Sequence, residues 1–148
     1  MSARFIAVDT NILVYAHNRR SPWHREAAGK LAGLAEAGGP WALPWPCVHE
    51  FLAVTTNARL FPDADTAAAA MEQVAIWMEL PPLRLLGEMQ GHWRELERIV
   101  SEGRMRGGAI HDARIAAICL EHGVSELWSA DRDFTRVGRL RVRNPLVG

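Results

Sequence analysis

Cysteine is scarce in this chain: Cys47 and Cys119 are the only two in 148 residues, and each is set among apolar neighbours. Without a Cys-x-x-Cys spacing, neither a disulfide framework nor a zinc-thiolate site is expected, and both thiols read as buried. There is also no excess of either charge, since 17 basic residues face 17 acidic ones. No global positive field advertises a nucleic-acid partner, so any such contact must come from local patches. Long apolar runs are missing as well. Nothing approaches the roughly 20 apolar residues that a membrane helix needs. Met1-Ser2-Ala3-Arg4 leads into a strand-like segment instead of a signal-peptide core. A cytoplasmic protein without membrane contact is the expectation. The chain further lacks a Ser/His/acid arrangement and a phosphate-cradling glycine loop at a suitable junction, which removes the usual routes to a side-chain nucleophile or a nucleotide cradle.

The length suits one domain over residues 1–148 with a substantial apolar core. Phe5-Ile6-Ala7-Val8 reads as a buried strand that stops at Asp9-Thr10-Asn11, followed by a helical Ile12 to Ala16 segment. Ser21-Pro22 is expected to open a helix that Gly38-Gly39 stops. Trp41-Ala42-Leu43 reads as a short second strand, kept brief by Pro44 and Pro46. Cys47, Val48, Phe51, Leu52 and Thr55 recur at helical spacing and place Glu50 near the start of a helix. Asp65 or Thr66 caps a helix over Ala67 to Met78, Leu83 to Leu86 is a third strand, and Met89 to Val100 an amphipathic helix. Gly103 to Gly108 reads as a loop. Ala109 to His122 is the clearest helix, with Gly123 as its stop. Glu126 to Ser129 is strand four, and Leu140 to Arg143 an edge strand with its arginines toward solvent. This succession predicts a three-layer α/β/α sandwich with a largely parallel sheet and right-handed crossovers, its strand order left open.

Four acids stand where solvent exposure does not explain them. Asp9 and Asp131 end predicted core strands, Glu50 follows a strand, and Asp112 lies in the first turn of a helix. In a parallel sheet, strand C-termini and helix N-termini meet at one edge, so all four are candidates for one cleft. Crowded carboxylates repel and take up protons unless a cation offsets them. Magnesium is the expected cation and manganese fits the same hard oxygen site. Such a site activates water for attack on a phosphodiester without a side-chain nucleophile. Thr10, Asn11 and Ser129 are supporting candidates, or else partners of turn backbone. Of Asp131 and Asp133, one is expected to cap or pair instead of binding metal. His111, beside Asp112, reads as a residue that packs or caps. The tryptophans on helical apolar spacing, Trp23, Trp77 and Trp93, read as core or interface residues. Arg136, Arg139, Arg141 and Arg143, in an acid-free terminus, form one basic patch, and Arg98, Arg104 and Arg106 a second.

The motifs Val8-Asp9-Thr10-Asn11-Ile12-Leu13, Val48-His49-Glu50-Phe51, His111-Asp112-Ala113-Arg114-Ile115-Ala116-Ala117 and Leu127-Trp128-Ser129-Ala130-Asp131-Arg132-Asp133-Phe134 together span almost the whole chain. In that order they resemble the PIN-domain ribonucleases, and among them the VapC-like toxins of bacterial toxin-antitoxin pairs. The resemblance implies a PIN-like sandwich and magnesium-dependent hydrolysis of RNA, with Asp9, Glu50, Asp112 and Asp131 as the acidic quartet. Asp133 is implied as an additional acid, and Thr10, Asn11 and Ser129 as supports. It also implies a homodimer and a cognate antitoxin whose tail occupies the cleft. Arg104, Arg106, Arg114 and Arg132 are the candidate RNA contacts around the groove. Three readings compete. An aspartyl phosphatase also begins with a strand ending in Asp, but it wants a second Asp where this chain has Asn11. A DNA or flap-type metal nuclease shares the carboxylate chemistry, and a non-enzymatic α/β interaction domain would need metal only for regulation or not at all.

Overall fold

The computed structural model describes residues 4–147, and among these the side chains of Asp133 and Thr135 lie outside the description. Each strand feeds a helical return. β1 (Ile6–Val8) leads into α1 (Thr10–His17) and α2 (His24–Glu36), and β2 (Trp41–Pro44) into α3 (Trp45–Thr55) and α4 (Ala67–Met78). β3 (Leu83–Leu86) is followed by α5 (His92–Gly103) and α6 (Ala109–Glu121). β4 (Glu126–Trp128) runs through a short 3-10 turn, Arg132–Arg136, into β5 (Val142–Arg143).

All strand pairs are parallel and the order is β3-β2-β1-β4-β5. The alternation of side chains along each strand sorts two cores. Ile6, Val8, Trp41, Leu43 and Trp128 face α1 to α4, whereas Ala7, Ala42 and Leu127 face α5 and α6. The three-layer sandwich follows from this, with one helical layer on each face. Small Ala7 and Ala42 let the alanine-rich side of α6 approach the sheet closely, since Ala113, Ala116 and Ala117 pack in the same core.

The chain adds strands outward from β1 to β3, then crosses the other face through α5 and α6 to place β4 on the opposite side of β1. Right-handed crossovers require that change of face when the direction of winding reverses. The reversal makes the C-terminal ends of β1 and β4 a topological switch point, the usual place for a site in an open parallel sheet.

Local chemistry explains most boundaries. Asp9 caps α1 by accepting from the Thr10 amide, and Thr66 rather than Asp65 caps α4 by accepting from the Ala69 amide. Ser21 does not open α2: its hydroxyl accepts from the Trp23 amide in a turn, and the helix begins at His24. The expected glycine loop also starts later, because α5 continues through Gly103 and closes on Arg104 in the left-handed region at φ 49°. Trp77 is buried, but Trp23 is partly exposed and Trp93 is 71% exposed, so the helical spacing of these two does not place them in the core.

Part of the terminal basic patch is paired with acids from elsewhere in the chain. Arg139 reaches Glu95 and Glu102, while Arg4, Arg141 and Arg143 converge on the buried Glu126. Glu126 also accepts from the Trp128 indole, which gives this buried carboxylate its compensation. Among the described residues, no helix is long and apolar enough to cross a membrane.

Candidate active site

At the switch point the polar groups of β1 and β4 are stapled together. Val8 pairs with Trp128, and the next amide, that of Asp9, donates to the Trp128 carbonyl at 2.9 Å. This register brings Ser129 beside Asp9, and its hydroxyl donates to Asp9 Oδ2 at 2.7 Å. Asn11 closes the loop. Its side-chain carbonyl accepts from the Ala130 amide at 3.1 Å, and its amide group donates to Ser129 Oγ at 3.3 Å and to Asp9 Oδ2 at 3.4 Å. Ser129 Oγ in turn accepts from the Asp131 amide at 3.0 Å, so one hydroxyl orients Asp9 and shapes the backbone at Asp131.

The other oxygen of Asp9 is held from two directions. Oδ1 accepts from the Thr10 amide at 2.8 Å and from the Cys47 thiol at 3.4 Å. Thr10 reaches onward, its hydroxyl lying 3.2 Å from Glu50 Oε2 and 3.4 Å from the Cys47 carbonyl. Glu50 is in the second turn of α3 because that helix begins at Trp45, earlier than the sequence pattern suggests. Asp112 occupies the first turn of α6, where the helix dipole favours a negative charge.

Asp9, Glu50, Asp112 and Asp131 all line one open cleft of about 250 Å³, together with Thr10 and Asn11. Val14, Tyr15 and Val54 complete its walls, one helical turn beyond Thr10, Asn11 and Glu50 respectively. Ser129 and Cys47 are buried and act from within the protein. Asp9 is itself only 5% exposed. Burial pushes its carboxyl above the ordinary value, against the lowering by hydrogen bonds from Ser129, Thr10 and Cys47, while the Glu50 charge adds to the rise.

That shift has a consequence for stability. A carboxyl raised on folding contributes fully below its unfolded value, near 3.8, and the contribution is lost as pH rises through the folded value. Metal-free Asp9→Asn is therefore expected to melt above the parent at neutral pH, with the gap closing as pH falls toward 3.8. Thermal unfolding across that range checks it; a gap that does not change with pH would contradict the assignment.

The donors around the cleft are hard oxygens, the set magnesium or manganese prefers. Among the described residues, no group of three or more acids, histidines or cysteines is drawn together as a ready metal cage. The side chain of Asp133, expected as an additional acid, lies outside the described residues.

The basic candidates divide. Arg114 is tied to Glu88 at 2.6 Å, whereas Arg104, Arg106 and Arg132 are exposed and none of the four lines the cleft. His111 is exposed in the first turn of α6 and does not line the cleft. A second cavity of about 280 Å³ opens at the far end of α1, where His17 pairs with Asp65 and Arg20 with Asp63.

A doubly wound parallel sheet with four carboxylates lining the cleft at its switch point defines a class, the open α/β proteins with an acidic cleft at the sheet edge. Within it, this chain belongs to the PIN domain family, whose model matches residues 6–140. Its relatives include ribonuclease VapC43 of Mycobacterium tuberculosis, 36% identical over 143 residues, with 97% of each chain covered. Ribonuclease VapC48 of the same species is 31% identical over 140 residues, covering 95% of this chain and 97% of that one. Among solved structures, that of VapBC2 from Rickettsia felis bound to a promoter DNA fragment matches with a TM-score of 0.70 at 16% identity, covering 94% and 97% of the two chains. Mycobacterium tuberculosis VapC20, described as a sarcin-ricin loop cleaving toxin, matches with a TM-score of 0.65 at 19% identity, covering 93% and 98%. These two likenesses concern the fold.

Proposed function

We propose that this protein is a magnesium-dependent endoribonuclease acting as the toxin of a toxin-antitoxin pair, with manganese able to replace magnesium. The observation that carries the reading is the meeting of Asp9, Glu50, Asp112 and Asp131 in one cleft. The ribonuclease names of relatives above 30% identity supply the substrate class. Asp9, Glu50, Asp112 and Asp131 would hold the cation, directly or through water. When bound, the cation supplies an activated water and neutralises charge on the phosphodiester oxygens.

The chain's own residues do the rest. Ser129, Asn11 and Thr10 fix the Asp9 carboxylate, and Thr10 also restrains Glu50. Val14 and Val54 form an apolar wall that limits water on one side of the cleft. Arg104, Arg106 and Arg132 are exposed to meet RNA phosphates, and Arg114 would have to leave Glu88 to do so. The expected partners are a cognate antitoxin, whose tail would present a cation to the acids, and a second copy of the chain. A cytoplasmic location goes with that role.

The test incubates the purified chain with structured RNA and with duplex DNA, with magnesium or with chelator. The expected result is magnesium-dependent cleavage of RNA that disappears in Asp112→Asn. Because the chemistry does not use a 2'-hydroxyl, cleavage of DNA alone would transfer the site to the DNA or flap-type nucleases. Cleavage unaffected by chelator would overturn the metal reading.

A further inference from the structure

The separation of Asp9 and Glu50 needs a physical cause, because the two acids come from different elements, the tip of β1 and the second turn of α3. Ser129 and Asn11 hold Asp9 from the β4 side, and their side-chain hydrogen bonds among the described residues go to Asp9, to each other and to the β4 end. The link to α3 runs through Cys47, which is fully buried in the first turn of that helix and lies one turn before Glu50. Its thiol donates to Asp9 Oδ1 at 3.4 Å, and its carbonyl lies 3.4 Å from the hydroxyl of Thr10. That hydroxyl is also 3.2 Å from Glu50 Oε2. A closed circuit results, from Asp9 to Cys47 to Thr10 and back to Asp9, with Glu50 joined to it through the Thr10 hydroxyl.

We propose that Cys47 is a positioning residue whose buried thiol clamps the Asp9 carboxylate from the core side and so sets its distance from Glu50. The inference rests on the reading of these acids as holders of a divalent cation. It gives the cysteine a part that neither a packing nor a redox account contains. The thiol packs with Cys119 and the α6 core, does not line the cleft, and meets the Asp9 carboxylate as a donor, so it acts on the site from within the protein. The two oxygens of Asp9 accept four protein donors, about the number of lone-pair sites a carboxylate has. Asn11, at 3.4 Å and lining the cleft, is the donor a cation would displace. Cys47, behind the carboxylate, stays in place and resists the rotation that an entering cation would otherwise cause.

The decisive experiment compares Cys47→Val with Cys47→Ser, measuring Mn2+ binding by calorimetry beside thermal unfolding, with Asp9→Asn as the control that locates the binding. Valine keeps the bulk and loses the proton; serine keeps the proton in a smaller group. The expected result is Mn2+ affinity about tenfold weaker in the valine variant, the scale for losing a partner of a metal ligand, and substantially restored in the serine variant. The serine variant is expected to melt lower than the valine one, since a hydroxyl replaces an apolar group in a dry core. The ranking by affinity is then opposite to the ranking by stability, which a packing role cannot produce. Valine binding Mn2+ as the parent does, or serine binding no better than valine, would overturn the proposal. A parent chain that binds no Mn2+ would overturn the metal reading and this inference together.

Discussion

Asp9→Asn is expected to lower RNA cleavage by more than about 100-fold, since losing even an outer partner of a metal ligand costs up to about that much. Asparagine has the same shape and keeps one oxygen, which can still accept from the Thr10 amide and the Cys47 thiol. What it removes is the negative charge and the second acceptor that Ser129 and Asn11 use. The helix cap therefore survives while the attraction for a cation does not. Activity and stability should move in opposite directions in this variant, the signature of a group placed for chemistry at the expense of the fold. The measurement is a cleavage time course in magnesium beside a melting curve without it. Cleavage within about tenfold of the parent, less than an essential ligand would cost, would remove Asp9 from the centre of the site.

Phe51→Ala is the largest expected loss of stability. Phe51 is fully buried on α3, edge-on to His17 of α1 with ring centroids 5.4 Å apart and to Trp77 of α4 at 4.9 Å. One ring thus joins three helices of the same layer. Truncating a buried phenylalanine costs about 3–5 kcal/mol, and edge-to-face pairs add about 0.5–1.5 kcal/mol beyond burial. Against a total stability of about 5–15 kcal/mol, this brings the chain near the unfolding threshold. With about 2–4 °C lost per kcal/mol in a domain of this size, the midpoint should fall by on the order of 10 °C. Thermal unfolding followed by circular dichroism measures it; a fall of less than about 2 °C, under one kcal/mol by the same scale, would show that the layer repacks around the gap.

The parts of this molecule that local chemistry decides are legible in its sequence. An apolar run that stops at Asp9-Thr10-Asn11 marks a strand tip and a helix cap without any long-range knowledge. Glu50 is different, because a single acid in an amphipathic helix carries no mark of its own until α3 is set against β1. Ser129 reaches Asp9 only because β4 is the neighbour of β1, and strand order is not encoded in periodicity. Cys47 escaped notice for a related reason: an apolar setting predicts a buried thiol correctly but not the carboxylate it meets. The arginine-rich terminus reads as a bare basic patch because the acids that pair with Arg139, Arg141 and Arg143, namely Glu95, Glu102 and Glu126, lie elsewhere in the sequence. Ser21-Pro22 offered good capping chemistry, yet the chain used it for a turn before α2.

The position of β4 on the far side of β1 has a temporal consequence. Asp9 is made with β1, but the hydroxyl that orients it belongs to Ser129 and its companion acid is Asp131, both of which follow β4. Asp112 also arrives only after β1 to β3 and their helices have been synthesised. A growing polypeptide therefore carries half of the acids without the strand that completes the cleft. The cleft is complete only once β4 has been made and has paired with β1.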